Sequence, residues 1–366
     1  MKNSNGEGTY YKYLDGWRGQ ISIGFDRFGK IVRKSATGKT KKEVRDKLYE
    51  IKKEYEGLSL DTNYYSVSQW LSEWLETYKK NSVTQTTYNV YERLIRDFLD
   101  KSLGDIPLRD LTTLDIQIAY NNMFANQKYS KSTIEQVHTK LKQSMKKAIE
   151  IKLIKENPCI GVELPLGRHK EKIIALTIDE QKKFIKRCEE EEYANFFVFM
   201  LATGLRIGEA AGLTWDMVDM TKKEITIKKI MIEIRGNPEF KEYPKTDAGL
   251  RTIPLNQKAY DILLERQKNN NEFNLLNLVF FSRTLNFRTT ANARRYLHKL
   301  CIEANIRKIN PHSLRHTYAT RMIENNCNIK ALSNMLGHAK ISTTLDIYSD
   351  ALIEYKRQQA ATIDIF

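Results

Sequence analysis

Residues 310–316 read NPHSLRH, and this short segment predicts both where a helix begins and what it presents. Asn310 can cap free backbone N–H groups, and Pro311 suits the first helical position because proline has no N–H to satisfy. His312 and Arg315 then lie three residues apart on one helix face. They stand at the positive helix end, where a phosphate group binds favourably.

A metal site is the alternative interpretation of the same helix, because His312 and His316 are four residues apart. No glutamate occupies the position that an HExxH pattern requires, and no third ligand has an expected spacing. The four cysteines are far apart and never form a CxxC pair, which argues against a zinc knuckle or a disulfide framework. The sequence therefore favours chemistry without a metal or another cofactor.

A second basic residue with a defined backbone position is Arg206, in the segment ATGLRIGE of residues 202–209. The pattern predicts a turn followed by a helix, with Glu209 one helical turn after the arginine. Such an arginine is most often a surface or ion-pair residue, and Glu209 is able to pair with it. Alone, Arg206 is a weak signal.

The carboxyl-terminal region supplies a histidine and a tyrosine at a fixed spacing. His338 follows Leu336-Gly337, and Ser342 is predicted to cap a helix that carries Tyr348. Because the chain has 19 tyrosines, most of them must be packing residues. Tyr348 gains interest only from its neighbours in the sequence.

Composition indicates a large basic protein with a polyanionic partner. A chain of 366 residues is expected to form two or three domains. Its net charge of +15 and pI of about 9.4 fit phosphate contacts with nucleic acid, although ribosome-like stickiness or membrane-surface binding would give the same balance. The sequence contains no apolar stretch long enough to span a bilayer and no secretory signal, so an intracellular protein is expected.

The amino-terminal segment predicts a small sheet covered by one helix. Ile21, Ile23 and Phe25 alternate with polar positions, a second strand covers residues 31–35, and a helix ends at Gly57. Basic residues crowd the strands and their turn: Arg18, Arg27, Lys30, Arg33 and Lys34. The uncovered sheet face or its rim could meet a DNA groove, and an ordinary solvated basic surface is the alternative.

The next hundred residues predict helices only. Ser66 and Gln69 form a capping box before the first, and the fourth is predicted to begin at Ser132. The apolar residues of that fourth helix form an inward stripe, and four lysines lie mostly outside it: Lys140, Lys142, Lys146 and Lys147. This lysine face either contacts DNA or is simply solvated.

A linker over residues 165–172 then precedes a new domain. Thr177 and Glu180 form its capping box, residues 196–202 predict a buried helix, and residues 224–234 and 250–255 predict strands. From residue 291 onward the pattern is helical again.

Taken together, Arg206, the His312-x-x-Arg315 pair, Leu336-Gly337-His338 and Tyr348 resemble the signature of the tyrosine recombinase, or phage integrase, family. The resemblance covers roughly residues 175–355 and includes the flanking residues. It implies that Lys245, in the segment PKTDAGLR, is the lysine of the family's β-hairpin and that Glu209 is its acidic support residue. The nearest competitor, Lys241, lacks the Thr and Gly that follow.

The resemblance implies a multidomain α+β fold. Residues 1–60 are expected to form an arm-site DNA-binding domain with a three-stranded sheet plus helix, similar to integrases of integrative conjugative elements and Gram-positive prophages. Residues 62–165 are expected to form a helical core-site DNA-binding domain. Residues 172–366 are expected to form a mostly helical catalytic domain with a small antiparallel sheet and a carboxyl-terminal tail.

The chemistry of these side chains fits DNA cleavage without a metal. Arg206 and Arg315 would hold the nonbridging oxygens of the phosphodiester, and Tyr348 would be the nucleophile. His312 would accept the phenolic proton, His338 would bind a nonbridging oxygen, and Lys245 would protonate the leaving 5′-oxygen.

We therefore expect an integrase that inserts and excises a mobile element or prophage through a 3′-phosphotyrosyl intermediate. The expected partners are double-stranded core and arm sites, three further copies of the chain on DNA, and an excisionase or host DNA-bending protein. The alternatives are a chromosome-dimer-type recombinase, a type IB topoisomerase-like relaxase, and a DNA-binding regulator with a degenerate site.

Overall fold

The computed structural model describes residues 8–25, 30–58, 65–125, 129–166, 175–243, 249–270, 272–338, 340–342 and 344–345. The chain divides into two compact units, Met1–His169 and Lys170–Phe366. Three residues singled out above lie outside the described ranges: Arg27, Lys245 and Tyr348. In the part that is described, no helix combines the length and apolar character needed to cross a membrane.

The first unit opens with a three-stranded antiparallel sheet, in the order β1-β2-β3, and one helix. The elements are β1 (Thr9–Tyr13), β2 (Gly16–Phe25), β3 (Ile31–Gly38) and α1 (Lys41–Tyr55). Ile21 of β2 packs with Val44 and Leu48 of α1 in a small core, because alternate strand residues point to the same face. The predicted sheet-plus-helix arrangement is confirmed.

The rest of the first unit is helical and has its own core. The helices are α2 (Val67–Trp74), α3 (Gln85–Leu94), α4 (Asp100–Leu103), α5 (Thr113–Ala125) and α6 (Lys131–Glu150), with π-helical turns at Leu75–Lys79 and Ile95–Leu99. The capping box of Ser66 and Gln69 is present. Trp70, Trp74 and Tyr120 are buried in this core together with Leu71 and Leu99, and each of these two leucine side chains contributes roughly 1.5–3 kcal/mol by leaving water.

The start of α6 differs from the sequence prediction. The helix begins at Lys131, and Ser130 rather than Ser132 precedes it as the cap. The Ser130 hydroxyl accepts a hydrogen bond from the backbone N–H of Thr133, so the earlier serine satisfies the free helix end. The predicted inward stripe is correct: Ile134, Val137, Leu141, Met145 and Ala148 are all buried.

The second unit packs helices around the apolar α8. Its helices are α7 (Ile178–Glu189), α8 (Asn195–Thr203), α9 (Ile207–Ala211), α10 (Gln257–Lys268), α11 (Thr290–Glu303), α12 (Pro311–Glu324) and α13 (Ile329–Leu336). The capping box of Thr177 and Glu180 starts α7. Of the residues in α8, only Ala202 is not buried, so this helix forms the centre of the unit and α12 packs against it.

The predicted antiparallel sheet of this unit is present as two small sheets. The strands are β4 (Val218–Asp219), β5 (Glu224–Ile227), β6 (Lys229–Ile234), β7 (Asn237–Glu242) and β8 (Arg251–Pro254). They form one sheet in the order β4-β5-β8 and a β6-β7 hairpin. The prediction of a single strand over residues 224–234 is therefore wrong. The strand is interrupted at Lys228. The backbone N–H of Lys228 donates to the sulfur of Met217, and the Lys228 carbonyl accepts from the backbone N–H of Tyr243.

Candidate active site

Arg206 stands at the junction between α8 and α9. Gly204 ends α8 in the left-handed conformation (φ 68°), and the chain then turns so that Arg206 caps α9. The Arg206 backbone N–H donates to Oε2 of Glu209, and Nη1 donates to Oε1, each at 2.8 Å. Nη2 donates to the carbonyl of Gly337 at 2.9 Å. The guanidinium is thus held from two sides while 38% of the side chain remains accessible.

Arg315 is the more deeply buried of the two candidate phosphate-binding arginines. Asn310 caps α12 and Pro311 opens it, as the sequence predicted. Nη1 of Arg315 donates to the Gly204 carbonyl at 3.0 Å, and Nη2 donates to the Leu336 carbonyl at 2.6 Å. Burial, followed by the positive charge of Arg206, lowers the pKa of Arg315 to about 9, so the group remains charged at neutral pH.

Glu209 is the buried acid that joins the site together. Its Oε1 accepts from Nη1 of Arg251 at 3.0 Å and from the Tyr243 hydroxyl at 3.2 Å, in addition to Arg206. Its Oε2 accepts from Nη2 of Arg251 at 2.8 Å. Burial by itself raises the pKa of Glu209, but the hydrogen bond and charge of Arg251, and then the charge of Arg206, hold it at about 2. The carboxylate is therefore ionised throughout the physiological range.

His338 directly follows the end of α13. Gly337 adopts the left-handed conformation (φ 65°) and terminates the helix. Nδ1 of His338 lies 2.8 Å from Oγ1 of the fully buried Thr344, which leaves Nε2 for a ligand. Burial, and then the charges of Arg315 and Arg206, lower the pKa of His338 to about 4. The ring is neutral at pH 7.

His312 lies in the same electrostatic environment. His312 is exposed overall, but part of its ring is shielded from water. This partial burial, followed by the positive charges of Arg315 and Arg206, lowers the pKa of His312. A neutral imidazole is able to accept a proton at pH 7. After burial, which is the larger cause, the positive charges of Arg315 and Arg206 lower the pKa of both histidines, as expected for imidazoles close to the two guanidiniums.

The charges at this site favour a doubly negative ligand. Among the described side chains of the site, Arg206, Arg251 and Arg315 are cationic and Glu209 is anionic, while both histidines have lowered pKa values, so two positive charges remain in excess. A phosphodiester attacked by a phenolate carries two negative charges at the five-coordinate stage. Within the described residues, no group of three His, Cys, Asp or Glu side chains is placed to hold a metal ion.

The structure brings five of the sequence-predicted residues together: Arg206, Glu209, His312, Arg315 and His338. Lys245 belongs to the connection between β7 and β8, and Tyr348 follows residue 345, so both lie outside the described residues. The roles assigned to all seven residues remain predictions.

Sequence reasoning missed three side chains of the site: Tyr243, Arg251 and Thr344. A signal for one of them existed. Arg251 and Ile253 are two residues apart in β8, so they point to the same face, and Ile253 is fully buried. An arginine on that buried face needs an anionic partner, and Glu209 supplies it.

The basic residues predicted to bind DNA in the amino-terminal sheet divide between its two faces. Arg33 is exposed on the face away from α1, where Arg18 donates to Ser35 across the β2–β3 pair at 3.3 Å. Lys34 lies instead on the helix side, with Nζ 5.1 Å from the centre of the Tyr55 ring. Because neighbouring strand residues point to opposite faces, Arg33 and Lys34 cannot present one continuous surface.

The lysines of α6 also differ in their surroundings. Nζ of Lys140 lies 4.1 Å from the centre of the Tyr91 ring and donates to the Tyr91 hydroxyl at 3.0 Å. Lys142 and Lys146 are exposed, and Lys146 borders an open depression that also contains Trp74, Tyr78 and Lys79. Lys142 and Lys146 are thus more accessible than Lys140 and Lys147, and DNA contact by any of these four lysines stays a prediction.

Comparisons with known proteins identify the family to which the chain is similar. The phage integrase family profile matches residues 175–354, and a profile for the SAM-like amino-terminal domain of phage integrases matches residues 66–124. A tyrosine recombinase XerC-like protein of Caldanaerobacter subterraneus subsp. tengcongensis is 30% identical, and the alignment covers 96% of each chain. The ICEBs1 integrase of Bacillus subtilis is 25% identical over 94% of this chain and 95% of its own.

A solved structure shows the same fold. The Tn1549 transposon integrase in complex with transposon right end DNA superimposes with a TM-score of 0.69 and 25% identity. The superposition covers 81% of this chain and 99% of that one.

Proposed function

Because the chain belongs to the phage integrase family of tyrosine recombinases, which cleave and rejoin DNA at specific sites, we propose how its residues divide the reaction. Tyr348 is the nucleophile and forms a 3′-phosphotyrosyl bond as the bond from phosphorus to the 5′-oxygen breaks. Arg206 and Arg315 neutralise the nonbridging oxygens, where the negative charge increases. A 5′-hydroxyl of another strand reverses the step, so the reaction needs no ATP.

The proton transfers fall to the remaining groups. His312 accepts the proton of the Tyr348 hydroxyl, which has an ordinary pKa near 10 and needs a base at neutral pH. Lys245 gives a proton to the departing 5′-oxygen. His338 donates from Nε2 to a nonbridging oxygen, provided that the Thr344 hydroxyl donates to Nδ1 and so selects that tautomer.

The observation that carries this proposal is the convergence of Arg206 and Arg315 on the end of α13. Their guanidiniums donate to the carbonyls of Gly337 and Leu336, at 2.9 and 2.6 Å. Two elements far apart in sequence thus place a pair of fixed cations beside His338. Preorganised cations of this kind stabilise accumulating charge without moving during the reaction.

The decisive test is covalent capture on a nicked DNA substrate that traps the cleaved intermediate. We expect the Tyr348→Phe protein to bind its site with unchanged affinity and to form no adduct, whereas the unaltered protein forms one in the presence of EDTA. Adduct formation by Tyr348→Phe would place the nucleophile elsewhere.

We further propose that the substrate is the attachment DNA of a mobile element, which the protein integrates and excises. The similarity to the ICEBs1 integrase over nearly the whole of both chains supports this, because it includes the amino-terminal sheet module. The same proposal has four further parts. The amino-terminal module binds arm sites, and four copies of the chain assemble on DNA. An excisionase or DNA-bending protein takes part, and the protein acts at the nucleoid in the cytoplasm.

The alternatives predict different DNA products. A relaxase would act on supercoiled DNA of any sequence, whereas an integrase protects defined core and arm sites from nuclease digestion. A chromosome-dimer-type recombinase would need no arm site. Sequencing the junctions formed on neighbouring DNA separates the three.

A further inference from the structure

Arg251 makes contacts unlike those of the two arginines assigned to the phosphate. Its side chain is only 7% exposed. Nη1 and Nη2 donate hydrogen bonds to the two carboxylate oxygens of Glu209. Nη1 also donates to the Gly249 carbonyl at 3.1 Å, and Nε donates to the Met335 carbonyl at 2.6 Å. A guanidinium has five N–H donors, and four of these are committed to the protein. Arg251 therefore has little capacity left for a phosphate.

The carbonyl bonded by Arg251 belongs to a consecutive set at the end of α13. Arg251, Arg315 and Arg206 donate in turn to the carbonyls of Met335, Leu336 and Gly337. The last carbonyls of a helix have no partner within it and form its negative end, so cations bind there favourably. The three arginines come from β8, α12 and the start of α9, and together they fix the segment that leads into His338.

Arg251 also controls the acid that holds Arg206. The same Glu209 oxygens that Arg251 grips accept hydrogen bonds from the Arg206 guanidinium and backbone. If Arg251 were absent, one cation fewer would balance a carboxylate that is 1% exposed, and the end of α13 would lose one of its three ties. Both changes would reach the phosphate site through Arg206 and His338.

We propose that Arg251 is a positioning residue for DNA cleavage, which holds Glu209 and the end of α13 so that Arg206 and His338 meet the scissile phosphate. This inference rests on the proposed roles of those two residues. Arg251 is therefore expected to affect the rate of the chemical step and not the affinity of the protein for DNA.

The test is a single-turnover measurement of adduct formation on the nicked substrate, with the DNA dissociation constant measured in parallel. For the full-length Arg251→Gln protein we expect adduct formation to slow by about 10²-fold, the size of effect that a displacement of about 1 Å produces. The dissociation constant should stay within about twofold of the unaltered value. Arg251→Lys keeps the positive charge but lacks the forked donors of a guanidinium, and it should still fold. Its rate of adduct formation is expected to lie between those of the unaltered and Arg251→Gln proteins.

Arg266→Gln is the matched control. Arg266 is equally buried in the same unit, donates from Nε to the Val279 carbonyl and pairs with Glu192, but it touches none of the site residues. Its loss should lower stability and leave the adduct rate of the folded protein unchanged. An equal slowing in both glutamine variants would reduce Arg251 to a general structural role and overturn the proposal.

A double-mutant cycle tests the route of the effect. If Arg251 acts through Glu209, the Arg251→Gln, Glu209→Gln protein should be no slower than the worse single variant. Additive losses, or an unaltered rate in both Arg251 variants, would contradict the inference. Tyr348→Phe is run beside them, because adduct formation by that protein would refute the proposed function itself, whatever Arg251 does.

Discussion

Nδ1 of His338 and Oγ1 of Thr344 lie 2.8 Å apart, and the threonine is completely buried. This contact decides which ring nitrogen of His338 is available to a ligand. The low pKa of the histidine, about 4, means that its neutral form must act, so its tautomer matters at every pH near neutrality.

Replacing Thr344 by valine removes the hydroxyl while the shape of the side chain is kept. We expect adduct formation on nicked DNA to slow by about 5-fold, since one hydrogen bond to the ring is worth on the order of 1 kcal/mol. Thr344→Ser retains the hydroxyl and serves as the control. Equal rates in the valine and serine variants would show that the contact does not orient His338.

Replacing Glu209 by glutamine should destabilise the second unit by about 3 kcal/mol, because the buried guanidinium of Arg251 and the partly exposed one of Arg206 lose their counter-charge. The pKa of Glu209 is about 2, below its usual 4.5, so this stabilisation is complete above pH 4.5 and is lost as the pH falls toward 2. Hydrogen exchange of α9 and α12 peptides in the full chain measures the effect.

The control for Glu209 is Glu189→Gln. Glu189 pairs with Lys258 at the surface, where both side chains are about half exposed, and its loss should cost less than about 1 kcal/mol. Protection of α9 that is equal in the two variants would contradict the central role of Glu209.

Gly204 combines left-handed backbone with close packing. A Cβ atom there would lie 2.5 Å from the Tyr318 ring, whereas a Cβ at Gly236 (φ 86°) would meet nothing within 4 Å. Gly236→Ala therefore tests backbone strain alone, at roughly 1–2 kcal/mol. Gly204→Ala should cost about 1–3 kcal/mol more, by thermal unfolding, and should slow cleavage because the Gly204 carbonyl orients Arg315. Equal losses would mean that Tyr318 moves aside freely.

Arg33 and Lys34 form a matched pair for testing DNA binding by the amino-terminal sheet. Arg33→Gln should weaken binding of an arm-site duplex and lower the salt dependence of binding by about 0.9 in log–log slope, as expected for one lost phosphate contact. Lys34→Gln should change neither, because Lys34 lies over Tyr55 on the covered face. A larger effect from Lys34 would mean that the helix side of the sheet contacts DNA.

Part of the site could be singled out from the sequence, because Arg206, His312, Arg315 and His338 stand in segments that resemble the family's motifs. Guanidinium and imidazole groups suit metal-free phosphoryl transfer, and the roles assigned to these four side chains stay predictions. The helix caps at Ser66, Thr177 and Asn310 could also be predicted from the sequence, because a cap hydrogen bond joins residues only two or three positions apart.

The sequence by itself determined most of the helices and their inward faces, since these follow from periodicity and local hydrogen bonding, and it supplied the side chains that are predicted to react. Tertiary structure alone decided that Arg206 bonds Gly337, 131 residues away, that Arg251 grips Glu209, and that one alternating stretch becomes strands of two sheets. The reason is physical. Partners of buried charges and of helix-end carbonyls are chosen by which elements pack together, and no short-range pattern encodes that choice.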